Sequence, residues 1–413
     1  MNHCLRALAA TLLLTGFALA DNWPGWRGPH GDGRCDETSV PLTWSKTDNV
    51  RWKVKLPGPG NSSPIVWGER VFLTQALDTK GHRRAVLCLA RKDGQLLWQK
   101  ETEYKDDEPT HSTNPFCSAT PVCDGQRVIA SHGSAGLVCY DHGGKEEWRY
   151  DLGKLWHIWG SASSPIFYGD LCILWCGPGE RQFLLAVDKK NGQKVWQHDE
   201  SGGHLGGKEQ STWVGSWTTP IVLRIDGHDE LVLAVPGKVK GFEPKTGKEL
   251  WSCDGMSNLV YTTAVASAEG VVVAMSGYTG PALAVKAGGT GDVTKTHRLW
   301  HQTKGIPQRI GSAVIVGEHA YLLNENETAH CFEVNTGKQI WKERVPGTSW
   351  SSMVLVGDRI YVPTQRGDCY VLRAAPKFEQ LAVNALEERV LASPAISQGE
   401  VFIRSYQHLW CIR

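Results

Sequence analysis

Short apolar runs alternate with turn residues from residue 49 onward, and they predict β-strands rather than helices. One repeated pattern is Ser or Thr, usually followed by Pro or Ala, then an apolar strand, a turn and a second apolar strand. Residues 63–68 and 164–169 show it well. Pro suits the first residue of a strand, where no ladder donor is needed. The eight copies begin at Ser63, Thr120, Ser164, Thr219, Thr263, Ser312, Ser352 and Ser393.

A second pattern places a tight turn before a tryptophan. Residues 191–196, 246–251 and 336–341 each carry a turn Gly ahead of a Trp, and looser copies end at Trp98, Trp148 and Trp300. Gly fits the positive φ of a hairpin turn, and a Trp in the next strand can pack between neighbouring sheets. In one unit, Leu381 is expected at the Trp position.

Together the two patterns define a four-stranded unit of about 46 residues, which is typical of a β-propeller blade. The sequence therefore predicts an all-β, eight-bladed β-propeller of four-stranded antiparallel blades over residues 49–413, with seven blades as the alternative. The last unit lacks a fourth strand, and residues 49–54 have that strand's pattern. We expect this N-terminal strand to complete the last blade, with Trp52 beside Cys411.

The N-terminal segment predicts export from the cytoplasm, and the charge balance restricts the class of partner. Lys and Arg total 44 against 43 Asp and Glu, and this balance argues against a nucleic-acid partner. Residues 1–20 have an early Arg6, a short apolar run and an Ala-Leu-Ala end, which predict a signal peptide cleaved after Ala20. We expect a soluble periplasmic or secreted monomer without a transmembrane segment. Residues 21–48 form a Trp/Gly/Pro arm, expected to pack across the blades.

One tryptophan repeat carries a family resemblance. Residues 186–196 follow the pattern A-x-D-x-x-T-G-x-x-x-W, apart from Asn191 at the Thr position, and resemble the repeat of the PQQ-binding-like (quinoprotein) β-propellers. That family includes alcohol dehydrogenases that use pyrroloquinoline quinone (PQQ) and calcium. It also includes non-enzymatic propellers similar to the outer-membrane assembly lipoprotein BamB, and exported planctomycete-type members. The resemblance implies the fold, and it leaves both functions open.

Chemical motifs favour a protein without catalysis. The sequence has no adjacent Cys-Cys pair, no haem motif and no zinc Cys-x-x-Cys pair. The calcium ligands of the quinoprotein relatives cannot be mapped onto it, and no catalytic or metal-binding residue is assigned. The predicted function is a binding or scaffold module for a protein, peptide or glycan. The alternative is a PQQ- and calcium-dependent dehydrogenase of alcohols or sugars. Four of the twelve cysteines, Cys88, Cys139, Cys331 and Cys411, fall at one small-residue repeat position, which predicts buried free thiols.

The channel mouth is the expected binding site, because propellers bind ligands at the axis or on a face. The residues directly before the eight repeat hydroxyls are small, and we expect them to face the crowded axis. The residues directly before these small residues vary from repeat to repeat and include large aromatic side chains. Exposed acidic turns at 226–230 and 324–327 are interpreted as loops between strands. The predicted mouth residues are Asn61, Trp217, Tyr261, Arg309, Trp350, Trp156, His157 and Trp213.

Overall fold

A computed structural model of the chain describes residues 22–203, 214–277, 280–304 and 310–413. In these ranges the chain forms short strands and one 3-10 turn, Gly133–Ala135. The strands build the predicted eight-bladed β-propeller of four-stranded antiparallel sheets. The expected signal peptide lies outside the described residues.

The strands of each blade are given in order from the axis outward. Blades 1 and 2 contain Ile65–Trp67, Arg70–Ala76, Arg83–Ala90 and Leu96–Glu103, then Val122–Cys123, Arg127–Ser131, Leu137–Asp141 and Glu146–Tyr150. Blades 3 and 4 contain Ile166–Tyr168, Leu171–Cys176, Gln182–Asp188 and Lys194–Glu200, then Ile221–Ile225, His228–Val235, Lys238–Phe242 and Glu249–Asp254. Blades 5 and 6 contain Val265–Ala266, Val271–Met275, Ala282–Lys286 and Arg298–Gln302, then Val314–Val316, His319–Leu323, Thr328–Glu333 and Gln339–Arg344. Blades 7 and 8 contain Val354–Val356, Arg359–Pro363, Asp368–Arg373 and Gln380–Ala385, then Ala395–Ser397, Glu400–Arg404, His408–Ile412 and Val50–Lys55.

Blade 8 closes the ring by pairing the two distant parts of the chain. Val50–Lys55 pairs antiparallel with His408–Ile412, and Trp52 lies opposite Cys411 as predicted. Across the joint between blades 8 and 1, Arg91 Nε donates to Glu400 Oε2 at 2.8 Å, and both side chains are buried. This closure pairs the edge of His408–Ile412 that the absence of a following fourth strand would otherwise leave open.

Four short strands lie outside the repeat. Arg34–Cys35 pairs parallel with the inner strand of blade 7, and Gly291–Asp292 pairs parallel with the outer strand of blade 4. Gly215–Ser216 pairs with Leu259–Val260 at the mouth end of blades 4 and 5. The Gly291–Asp292 strand is the insertion that lengthens the turn before Trp300, so the insertion covers a neighbouring blade.

The outer-strand tryptophans join each blade to the next. In six of them the indole N–H donates to a backbone carbonyl of the following blade; for example, Trp98 Nε1 lies 2.9 Å from His142 O, and Trp196 Nε1 lies 3.1 Å from Pro244 O. A Cβ added at Gly247 would lie 2.4 Å from the Trp196 ring, so this turn position requires Gly for close approach as well as for its positive φ. Trp251 differs because its indole donates to Glu230 Oε2 within its own blade.

The residue opposite each repeat Trp on the third strand is small. The pairs are Trp52–Cys411, Trp98–Cys88, Trp148–Cys139, Trp196–Ala186, Trp251–Gly241, Trp300–Ala284 and Trp341–Cys331. All eleven described cysteines are free and buried, in agreement with the sequence prediction.

Blade 7 departs from the pattern, and the expectation for Leu381 is wrong by one residue. Ala382 lies opposite Val371, and Leu381 falls in the β-bulge that precedes the Trp position in every blade. The turn between the third and outer strands is one residue longer in blade 7 than in blade 6, since Val371 and Ala382 are eleven residues apart where Cys331 and Trp341 are ten apart. Counting along the repeat therefore misplaces the register by one residue. The ring missing from Ala382 is supplied by the arm, because Trp44 stacks on Tyr361 at a centroid distance of 6.2 Å and an interplanar angle of 8°. In blades 1, 6 and 8 the repeat Trp contacts the corresponding second-strand aromatic residue.

The rest of the arm crosses the blades as expected. Trp23 is fully buried and forms a β-bridge with Val66 in blade 1, and Asn22 Oδ1 accepts from Gly68 N at the end of the same inner strand. Further on, Glu37 accepts from the backbone N–H groups of Gln398 and Gly399 in blade 8. The arm therefore lies on the propeller face where the inner strands end. The inner strands begin at the opposite face.

Candidate functional site

A cavity of about 570 Å³ occupies the centre of the ring. Its rim is formed by the residue two positions before each repeat hydroxyl, and all eight of these positions contribute. Deeper in, the repeat hydroxyls of five blades contribute. The lining residues are Asn61, Ser118, Ala162, Trp217, Tyr261, Ile310, Trp350 and Leu391 at the rim, Ser63, Ser164, Thr219, Ser352 and Ser393 below it, and Trp26, His111, Thr113, Asn114, Trp159 and Ala392 around them.

The repeat hydroxyls form a hydrogen-bonded ring around the axis, which we call the hydroxyl ring. At seven of the eight joints, the backbone N–H of one ring residue donates to the hydroxyl oxygen of the next blade's ring residue, at 2.9 to 3.1 Å. The circuit includes the joint between blades 8 and 1, where Ser393 N donates to Ser63 Oγ. At the joint between blades 5 and 6, the buried Ser312 Oγ has no partner among the described residues.

The expectation that the small preceding residues face the axis is wrong for most of them, because Ala392 is the one of the eight found among the described lining residues. Ser62 Oγ accepts from Thr74 N, and Thr218 Oγ1 donates to Ala234 O, so both side chains point into their own blades. Side chains alternate between the two faces of a strand. The rim residue and the hydroxyl two positions later therefore share the axial face, and the small residue between them faces the blade.

Aromatic rings form one wall of the cavity. Trp217 and Tyr261 stack at a centroid distance of 4.8 Å with an interplanar angle of 9°. Trp159 packs against both rings, at 5.8 and 6.3 Å. The indole N–H of Trp217 donates to Gly160 O, and that of Trp350 donates to Glu325 Oε1 at 2.7 Å. Because hydrogen bonds fix two of the indoles, the wall is a preformed surface rather than a set of loose side chains.

The loop between blades 1 and 2 supplies another part of the rim. Asn61 Nδ2 donates to Thr113 O, and Asn114 Nδ2 donates to Trp159 O. The loop is held from behind by the buried ion pair between Arg84 and Glu108. Next to this pair, burial lowers the pKa of His132 to about 3, so the imidazole is neutral at pH 7. The loop is therefore an ordered wall of the cavity.

The arm lies at the other end of the cavity. Trp26 is a lining residue, and the guanidinium of the following Arg27 donates to Met353 O, Ala313 O and Asp32 O at 2.6 to 2.8 Å. Met353 and Ala313 directly follow two members of the hydroxyl ring. Burial lowers the pKa of Arg27 to about 10, which leaves it charged at neutral pH. The arm thus forms the floor of the cavity, beyond the hydroxyl ring.

The described lining carries no Asp, Glu, Lys or Arg side chain. Calcium binds through six to eight oxygen ligands that usually include carboxylates, and PQQ itself is a polycarboxylate that needs cationic or metal partners. The described lining residues therefore do not fit a PQQ–calcium site. Arg309, the cation expected there, lies outside the described residues.

A cluster with metal-ligand composition occurs on the outer strands of blades 3 and 4, away from the cavity. His198, Glu200 and Glu249 lie close enough to share an ion. Lys240 Nζ already lies 2.5 Å from Glu200 Oε1 and 3.0 Å from Glu249 Oε2. The ammonium group occupies the place of a cation, so the cluster is a charge network. The turn at 226–227 joins two strands of blade 4, as the sequence predicted.

Four of the eight predicted mouth residues, Asn61, Trp217, Tyr261 and Trp350, line the cavity together. His157 is buried behind the aromatic wall, with its ring 5.1 Å from that of Trp217. Trp156 is 36 % exposed and is not among the described lining residues. Trp213 and Arg309 lie outside the described residues. The sequence interpretation missed the lining role of Trp26 and the hydroxyl ring, although the ring residues are the Ser/Thr of the repeat itself.

Comparison with known proteins identifies the family. The family model described as outer membrane protein assembly factor BamB matches residues 42–116, 82–343, 291–376 and 325–412, which together span nearly all of the propeller. The chain belongs to this BamB family. No curated protein matches the chain.

Solved structures similar to the chain include BamB from Moraxella catarrhalis, with a TM-score of 0.60, 13% identity and coverage of 87% of this chain and 95% of that one. A europium-containing methanol dehydrogenase has a TM-score of 0.70 and 11% identity, covering 93% and 89%. The quinohemoprotein alcohol dehydrogenase from Comamonas testosteroni has a TM-score of 0.65 and 10% identity, covering 95% and 80%. At these identities the likeness establishes the fold and leaves the function to the site. In the described ranges, no helix has the length and apolarity needed to cross a bilayer.

Proposed function

We propose that the chain is an exported, non-catalytic binding module that takes an uncharged part of a protein, peptide or glycan partner into its central cavity. The observation that carries this proposal is the chemistry of the described lining, which combines five aromatic rings from Trp and Tyr with hydroxyl and amide groups and one imidazole, and has no Asp, Glu, Lys or Arg side chain. Such a surface can bury apolar area and satisfy a few polar groups. A charged ligand would lose its hydration there without a counter-charge. The similarity to BamB supports a protein partner as one form of this function.

The alternative is a dehydrogenase of alcohols or sugars that uses PQQ and calcium. The stacked Trp217–Tyr261 pair favours it, because flat cofactors stack on aromatic rings, and the overall fold is shared with quinoprotein alcohol dehydrogenases. Against it stands the absence of carboxylates and cations from the described lining. Proton abstraction from an alcohol requires a base near the substrate.

Two measurements test the proposal. First, PQQ and calcium are added to the purified mature chain, and quinone absorbance and dye reduction are followed with alcohols and sugars. We expect neither a saturable spectral change nor turnover, and the two together would establish the dehydrogenase instead.

Second, a library of charged and uncharged small molecules is screened for thermal stabilisation of the wild type, Ala162→Gln and Leu97→Ala. Ala162 lies on the rim, where a longer neutral side chain occupies the cavity. Leu97 is 47 % exposed on the outer strand of blade 1 and serves as the matched control. We expect uncharged ligands to stabilise the wild type and Leu97→Ala but not Ala162→Gln. Stabilisation of all three variants alike would place the binding site elsewhere.

A further inference from the structure

We propose that the ligand of the central cavity is a neutral saccharide, whose ring stacks on the aromatic wall while its oxygens accept hydrogen bonds from the hydroxyl ring. This inference rests on the proposed function, because it names the ligand class of the same site. Three properties of the cavity lead to it: unused donors at the hydroxyl ring, flat apolar surfaces beside them, and the absence of Asp, Glu, Lys and Arg from the described lining residues.

The hydroxyl ring provides donors that the protein does not use. Each of seven ring hydroxyl oxygens accepts a backbone N–H from the preceding blade. A Ser or Thr hydroxyl has one proton to donate. Within the part of the chain that the structure describes, none of these seven protons has a protein acceptor, and five of the hydroxyls line the cavity. A ligand that reaches the hydroxyl ring therefore meets a circle of donors and must carry several acceptor oxygens.

The aromatic wall selects the shape of that ligand. Trp159, Trp217 and Tyr261 form a continuous cluster of ring contacts, and Trp350 lies on the rim. Aromatic faces bind flat apolar surfaces and the positive edges of C–H groups. A pyranose ring has both features, with C–H groups on its faces and hydroxyls around its edge. It can therefore stack on the wall and hydrogen-bond with the hydroxyl ring at the same time.

The charge of the lining and the size of the cavity restrict the class of ligand further. Sugar acids, amino sugars, nucleotides and charged peptide side chains would be desolvated in a cavity whose described lining offers no counter-charge. The cavity volume of about 570 Å³ lies within the usual range of small-molecule sites, roughly 300–1,000 Å³. Trp26 forms the floor at the opposite end. A terminal sugar entering from the rim therefore fits better than a chain threaded through the axis.

The test measures binding of neutral mono- and disaccharides to the full mature chain by calorimetry and by tryptophan fluorescence. Sugar acids and amino sugars of matched size serve as the charged comparison ligands. Since the ring hydroxyls also accept backbone N–H groups, changing them would disturb the fold. The ligand is changed instead, by comparing each binding sugar with its deoxy analogues. We expect loss of a hydroxyl that contacts the hydroxyl ring to weaken binding roughly tenfold, the equivalent of about 1.4 kcal/mol.

Protein variants locate the bound sugar. We expect Trp217→Ala to weaken binding roughly tenfold or more through lost stacking, and Trp217→Phe to restore part of it. Ala162→Gln should abolish binding, whereas Leu97→Ala should leave the affinity unchanged. Circular dichroism and a thermal melt confirm that each variant is folded.

Each remaining outcome overturns one or both proposals. Tighter binding of the charged sugars than of the neutral ones would overturn the saccharide inference. If no sugar binds, but an uncharged ligand of another class stabilises the wild type and not Ala162→Gln, the saccharide inference fails and the proposed function stands. If Ala162→Gln changes the binding of no ligand that the wild type binds, both fail.

Discussion

Trp44 supplies the aromatic ring that blade 7 lacks. Its removal tests whether this arm residue replaces the repeat tryptophan in stabilising the blade. Its side chain is 5 % exposed and stacks on Tyr361, while its backbone N–H donates to Asn384 Oδ1 at 2.8 Å. Burying a Trp removes roughly 200 Å² from water, worth up to about 5 kcal/mol at about 25 cal/mol per Å². Residual compactness of the unfolded chain lowers this figure. We therefore expect Trp44→Ala to lower the free energy of unfolding by about 3–5 kcal/mol.

The assay is urea unfolding followed by far-UV circular dichroism, which does not depend on the number of tryptophans. The informative partner is Ala382→Trp, which restores the repeat residue in blade 7. In the wild-type background this change should destabilise, because Trp44 already fills the space against Tyr361. In the Trp44→Ala background it should recover a large part of the lost stability. If Trp44→Ala costs less than about 1 kcal/mol, or if Ala382→Trp has the same effect in both backgrounds, the replacement argument is refuted.

Three further predictions concern the arm, the buried histidine and the thiols. Arg27→Met should cost at least about 2 kcal/mol in urea unfolding, because two buried carbonyls and one partly buried carbonyl lose their donor, whereas the exposed Arg34→Met should cost less than about 0.5 kcal/mol; equal losses would contradict the role of Arg27 in holding the arm beneath the cavity. Burial lowers the pKa of His132 to about 3 while an unfolded histidine titrates near about 6.5, so stability should be complete above pH 6.5 and fall as the pH drops towards 4. Urea midpoints at pH 7 and pH 5 measure this fall, and a His132→Gln variant with an undiminished pH dependence would assign it to other groups. The buried cysteines should not react with Ellman's reagent until urea unfolds the chain, since burial raises thiol pKa values, that of Cys88 to about 12; rapid labelling of the native protein would contradict this.

Most of the propeller was predictable because its signals are local and repeated. A hairpin Gly and the following Trp lie within six residues of each other, and their recurrence gave the blade number and the closing strand at Trp52. The register in blade 7 was not predictable by counting, because its turn is one residue longer than that of blade 6 and brings Ala382 rather than Leu381 to the Trp position. The role of Trp44 was hidden for a different reason, since the arm has no repeat to compare with.

The candidate site was predictable only in part. The rim residues Trp217, Tyr261 and Trp350 were identifiable because they are large aromatic residues at a repeat position whose residue differs from blade to blade. The side chains that face the axis were misassigned by one position. The sequence interpretation placed the small residues there, whereas the structure places the hydroxyls of the following residues there. Trp26 reaches the cavity from the arm, and no pattern in the sequence indicates that contact. Long-range placement of this kind depends on the packed structure.

The joint between blades 8 and 1 also sets an order of events during synthesis. The strand Val50–Lys55 emerges from the ribosome first among the repeat strands, and the strand it pairs with in the described part of the chain, His408–Ile412, is the last repeat strand to emerge. Until then, both edges are available to other chains, which is the usual origin of misassociation. A nonsense mutation or a protease cut shortly before His408 would therefore leave a nearly complete chain whose ring cannot close and whose Val50–Lys55 strand has lost its described sheet partner.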